Sequence, residues 1–161
     1  MSSQANIRTL NQLVNNFRDI ADKHHMIRRF EYGNPTDYYQ SGTTDSPELW
    51  MHVDGIVRDN GGVSTFDCTL TLADEIIREG TNELEVESDL VLMADDIVAQ
   101  CYIKSAEYGW SVPRSQTTQY KIFTEDRKTP KNLKLLQFNI QIRVKKSSDT
   151  CSIPYSSQPI T

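Results

Sequence analysis

With 161 residues and a formal net charge of −5, the chain has room for one domain with an arm or tail rather than for two domains. A core of this size needs no disulfide or metal staple, since about 68 to 70% of the unfolded surface is buried on folding. Seventeen Lys and Arg against 22 Asp and Glu is the wrong overall sign for a protein whose main task is gripping phosphates. The 37% of hydrophobic residues exceeds what a disordered chain carries. Cys68, Cys101 and Cys151 form no C-x-x-C pair, so neither a zinc site nor a disulfide framework is signalled. The first 25 residues hold no unbroken apolar stretch and no small-residue cleavage site, so no signal peptide is expected. No run approaches the roughly 18 apolar residues of a membrane span. These features predict a soluble chain made in a reducing cytoplasm, without a membrane partner.

In chain order, Ile7, Leu10, Val14, Phe17 and Ala21 step by three and four and predict an amphipathic helix over 7–24. The adjacent His24 and His25 and the pair Arg28 and Arg29 suit a helix C-terminus. Residues 33–47, GNPTDYYQSGTTDSP, read as a long polar loop. Alternation over 48–53 and again over 63–72, with Asn60-Gly61-Gly62 between, predicts a hairpin. Phe66, Cys68, Leu70 and Leu72 share one side of its second strand, the pattern of a sheet covered on one face.

A second helix begins near Asn82, a candidate cap with Glu85 three positions on. Val86, Leu90, Met93, Ala94, Ile97 and Cys101 form its apolar stripe, and Glu83, Glu87, Asp89, Asp95 and Asp96 an acidic opposite face. A weaker strand over 118–124 and a turn at 129–132 lead into the cleanest strand, 135–145. There Leu136, Phe138, Ile140, Ile142 and Val144 alternate with polar residues, so the register is firmly set. The expected class is α+β, with two helices packed on one face of a mostly antiparallel sheet of about four strands, in the order helix, hairpin, helix, hairpin. A single domain over 1–146, with the polar loop at 33–47, is expected to precede a C-terminal tail over 147–161 ordered by partners.

The chemistry-bearing residues do not assemble into a recognisable active site. His24 and His25 on a helix point roughly 100° apart and cannot share a metal. The same angle separates Asp95 from Asp96, and a solvated helix face accounts for both. No nucleophile elbow, Walker loop, dinucleotide turn or H-E-x-x-H helix occurs. Cys68 and Cys101 fall on apolar faces, where a thiol packs as a small hydrophobe. The expectation is therefore a non-enzyme with no catalytic, cofactor-binding or metal-binding residue. Charge is polarised instead. Acids concentrate around the second helix, and Lys121, Arg127, Lys128, Lys131, Lys134, Arg143, Lys145 and Lys146 toward the last hairpin. Complementary faces on one chain invite head-to-tail association, and two independently solvated faces account for the pattern equally well.

Two stretches carry a family resemblance. One is REGTNELEVESDLVL over 78–92, an acid-rich and Asn-containing turn leading into a helix. The other is FNIQIRVKKSSDTCSIP over 138–154, a long alternating strand closed by a Cys-x-Ile-Pro ending. With the element order, they resemble the tail terminator and tail-completion (head-tail joining, neck) proteins of long-tailed bacteriophages. The resemblance implies a structural virion protein without cofactor, synthesised in the host bacterial cytoplasm. Its copies would form a ring, a hexamer or a dodecamer, at the head-proximal end of the tail. The ring would end tube polymerisation, join the tail tube protein to neck and connector proteins, and let DNA pass without specific binding. On this reading Glu83, Glu85 and Glu87 face the channel, and Tyr38, Tyr39, Trp50, Arg143, Lys145 and Tyr155 are expected at inter-subunit or tube contacts. Two alternatives stand beside it: a portal-side connector or neck ring, and, from a different class, a cytoplasmic adaptor that captures a peptide on a sheet edge.

Overall fold

The structure, a computed structural model, describes residues 10–33, 46–77, 82–114, 116–125 and 131–145. The elements run α1 (Leu10–Lys23), β1 (Arg29–Tyr32), β2 (Glu48–Arg58), β3 (Val63–Ile77), α2 (Glu83–Ile103), α3 (Ser105–Tyr108), β4 (Lys121–Glu125) and β5 (Lys131–Lys145). They form an α+β domain whose five strands lie in the order β1-β2-β3-β5-β4. This corrects the expectation of two helices on a four-stranded, mostly antiparallel sheet. β1 adds a fifth strand parallel to β2, with Phe30 beside Leu49, so the sheet is mixed. The one-turn helix α3 adds a third helix, closed by Gly109 in the left-handed region at φ 69°, where glycine carries no Cβ penalty.

Cross-strand rows show why the strands pair in this register. Met51, Leu70 and Phe138 stand side by side, as do Leu49, Leu72 and Leu136. All six are buried on the face that α1 and α2 cover. A one-residue slip would turn each row to the opposite side. α1 contributes Leu13, Phe17 and Ile20, and α2 contributes Leu90, Met93 and Ile97, to the same core. α3 swings Tyr108 and Trp110 into it. The Trp110 ring lies 5.2 Å from Phe17 and 5.0 Å from Tyr108, and its indole N–H donates to the Cys101 carbonyl at 2.8 Å.

The opposite face has two halves. Trp50, Ala73, Leu133 and Leu135 form a second buried apolar cluster at one end. β5 therefore begins four residues before the predicted strand, because Leu133 and Leu135 break the one-faced pattern that marked its start. The other half carries His52, Thr69 and Asn139 in one row and Val57, Thr65 and Arg143 in another. A β-bulge between Val53 and Gly55 shifts the β2 register between these rows, and such bulges re-aim side chains.

Candidate functional site

Four places in the fold concentrate chemistry or exposed apolar surface. The first is a polar network on the half-open sheet face. His52 Nε2 lies 2.8 Å from Asp54 Oδ1, and Thr69 Oγ1 donates to the other oxygen of the same carboxylate. Thr69 has one hydroxyl proton, so its 2.8 Å contact with the Asn139 side chain is satisfied with the amide turned to present its NH2. The carboxylate stands between imidazole and hydroxyl. An activated nucleophile needs the imidazole against the hydroxyl, so this order ties three strands together and leaves Thr69 inactive. Beside it a polar cleft of about 520 Å³ runs along β5. There the Gln116 amide acts as a strand in miniature: its NH2 donates to the Asn139 carbonyl at 3.2 Å, and its oxygen accepts from the Gln141 N–H at 3.1 Å.

The second place is a cleft of about 870 Å³ between the end of α1 and α2–α3, lined by residues that include His24, Met26, Asp96, Ile103 and Tyr108. The Met26 N–H donates to His24 Nδ1 at 3.1 Å, so the ring proton sits on Nε2 and is donated to Asp96 at 2.9 Å. His24 thereby pins the end of α1 to α2, while His25 is exposed. Nearby, the Tyr108 hydroxyl donates to Asp19. That bond, the largest influence on Asp19, holds its carboxyl below the usual range against the opposing effect of burial. Asp95 and Asp96, expected on a solvated face, are both acceptors across the fold, since the Tyr120 hydroxyl donates to Asp95 at 2.7 Å.

The third is a clamp. Lys134 of β5, 6% exposed, reaches the carboxylates of Glu83 at 2.8 Å and Glu87 at 2.7 Å, and the Thr124 hydroxyl oxygen at 3.0 Å. Burial alone would lower the ammonium's pKa. The two carboxylates outweigh it and leave the pKa raised. Cys68 and Cys101 are buried free thiols, and burial pushes Cys101 up to about 12, far from a thiolate at neutral pH. Among the described residues no group of three or more His, Cys, Asp or Glu side chains is placed to hold a metal ion, and no helix is long and apolar enough to cross a membrane.

The fourth is the outer side of α2. Leu84 is 77% exposed, Leu92 51%, Tyr102 44% and Ile103 68%. At roughly 100° per residue these four, with Ser88, Asp95 and Ala99, fall on one arc opposite the buried stripe. Glu85 and Asp89, both exposed, flank it. Four of the ten large apolar residues exposed among the described ones thus lie on one side of one helix. A helix that is apolar on two sides belongs between two layers, and here one layer is the protein's own sheet. The acidic residues hid this arc in the sequence, although Leu84, Ser88, Leu92, Ala99 and Tyr102 recur at helical spacing.

The expected site residues are dispersed by the fold. Glu83 and Glu87 grip Lys134, and Glu85 points away from them beside the exposed arc. Trp50 is 7% exposed, and its indole N–H donates to the buried Glu48 at 3.2 Å, so it offers little surface. Arg143 and Lys145 are exposed and lie toward the same end of the sheet as Val57, 71% exposed. Tyr38, Tyr39, Tyr155 and Cys151 lie outside the described residues, as do most of the polar loop and the tail over 147–161. Asn82 takes the N-cap position of α2 without the side-chain cap that the Asn82 and Glu85 spacing predicted. No protein-family model matches the chain, and the search of curated proteins finds no match.

Proposed function

We propose that this chain is a non-enzymatic assembly subunit whose copies associate into a ring. The observation that carries the reading is α2, a helix of 21 residues that buries one apolar side in its own core and leaves a second, Leu84 to Ile103, in water. Large apolar residues left in water along one side of a helix, with Asp95 among them and Glu85 and Asp89 beside them, mark an interaction site in a folded protein. The His52–Asp54–Thr69 order offers no competing nucleophilic chemistry, since the hydroxyl meets the carboxylate and not the imidazole.

The resemblance of 78–92 and 138–154 to tail terminator proteins gives the ring a place: the head-proximal end of a bacteriophage tail, where it ends tube growth and joins the neck. We assign Glu83 and Glu87 to the fold and Glu85 to the interface, instead of to a channel lining. The test is to add the purified protein to polymerising tail tube subunits and measure tube length by electron microscopy. Growth should stop, with rings of the protein at one tube end. Tubes that lengthen unchanged beside the added protein would contradict the terminator reading, and rings that bind portal complexes instead would favour the connector.

One observation favours a second reading, an adaptor. The β5 edge at Asn139 and Gln141 is satisfied by a side-chain amide and not by a strand, and an extended peptide could take that place. A protein that stays monomeric and retains peptides from a library would support this reading over the ring.

A further inference from the structure

We infer that the neighbour's docking site for α2 is the far end of its sheet, where the β2–β3 hairpin meets the end of β5, so that copies join head to tail. The inference rests on the ring reading above and goes on to specify the two faces. Three observations carry it.

First, α2 contains Glu83, Glu85, Glu87, Asp89, Asp95 and Asp96 and no Lys or Arg. Two copies meeting α2 to α2 about a two-fold axis would bring Glu85 and Asp89 of both helices toward one another. Like charges juxtaposed at an interface disfavour that partner. The apolar arc therefore needs a different surface, and a basic one. Second, the described residues contain such a surface. Val57 is 71% exposed near the end of β2, and Arg143 and Lys145, both exposed, stand on its face of the sheet, with the exposed Asp67 the acid beside their row. Val57 and Arg143 share a row across β3, so apolar and cationic groups present together. Third, this surface lies at the half-open side of the sheet, away from the helical layer. One copy then carries the acid-flanked apolar helix on one side and the cation-flanked apolar strand end on the other. An interface between unlike faces propagates from copy to copy, and it ends only when the rotation closes a ring.

Charge reversal tests both faces at once. One variant carries Glu85→Lys and Asp89→Lys, the other Arg143→Glu and Lys145→Glu; all four side chains are exposed, and circular dichroism should show both variants folded. By light scattering each variant alone should fall from the wild-type multiple to the 18.4 kDa monomer. An equimolar mixture should recover the multimer, because each variant's helix then meets an oppositely charged strand end on the other. If the Arg143→Glu/Lys145→Glu variant alone keeps the wild-type mass, the strand end is not the partner and the proposed pairing is overturned, while the ring reading survives. If the Glu85→Lys/Asp89→Lys variant alone keeps it, α2 is not the other face. A wild-type protein that is itself monomeric at every concentration overturns the ring reading and this inference with it.

Discussion

Leu90 and Leu92 stand two residues apart on the same helix, the first fully buried against the sheet and the second half exposed to water. The comparison extends along the whole of α2. Leu90, Met93 and Ile97 face inward and close the core, while Leu84, Leu92 and Ile103 face outward with Glu85 and Asp89 beside them. The inward side explains why the monomer folds. The outward side buries far less and adds little to that fold, and we assign it to assembly. Apolar content and structural role thus separate within a single element, and mutations should separate them experimentally.

The largest effect is expected from Leu90→Ala. Removing a fully buried leucine side chain should cost about 2 to 5 kcal/mol of monomer stability in urea denaturation. Leu92→Ala, measured at a concentration where the protein is monomeric, should stay within about 0.5 kcal/mol of wild type. Similar losses from both would erase the distinction between the two sides.

The clamp at the margin of α2 sharpens the comparison. Glu83→Gln with Glu87→Gln leaves the Lys134 ammonium under the helix without a counter-charge and should cost about 2 to 3 kcal/mol. Lys134→Met should cost less, about 1 kcal/mol, because Glu83 and Glu87 are 45% and 31% exposed and regain water. Thermal unfolding of the two variants gives the order, and the reverse order would contradict it. The raised pKa of Lys134 fixes the pH dependence. A group whose folded pKa lies above its unfolded value contributes fully below the usual 10.5, and that contribution fades as pH rises through the folded value. The gap between wild type and Lys134→Met should therefore narrow in alkali.

The smallest effect belongs to α3, just beyond the end of α2. Tyr108→Phe removes the hydroxyl that chiefly holds Asp19 below its usual 3.8. A depressed carboxyl stabilises above its unfolded pKa, and that contribution is lost as pH falls through the folded value. Tyr108→Phe should therefore be slightly less stable than wild type at pH 7, and the gap should close as pH falls through the folded pKa of Asp19. A stability gap that persists unchanged into acid would show that the Tyr108 bond does not govern Asp19.

Much of the core was legible because it obeys one period at a time. Phe138, Ile140 and Ile142 alternate cleanly, and Val86, Leu90 and Ile97 hold a helical step; all are buried where that pattern directs them. The misses fall where two signals overlap. β1 is four residues, Arg29–Tyr32, directly after a basic pair that reads as a helix end, and its parallel partner β2 follows through a long connection with no hairpin turn to announce it. Leu133 and Leu135 are buried on the face opposite Leu136, so alternation fails at the start of β5. The outer arc of α2 was masked by Glu85, Asp89, Asp95 and Asp96 on and beside it, which made that side look solvated. Glu83 and Glu87 lie four apart and Glu85 between them, so one helix sends the first two to Lys134 and the third to the exposed side, a division that spacing alone foreshadows.

The most direct measurement is the mass of the wild-type protein by light scattering across a concentration series at two salt levels, beside Leu84→Asp/Leu92→Asp. The wild-type mass should be several times 18.4 kDa, lowered by salt because the contact is charge-assisted, and the double variant should be a folded monomer. A wild-type protein of monomer mass throughout, or a double variant that assembles as the wild type does, would contradict the claim that the outward face of α2 exists for assembly.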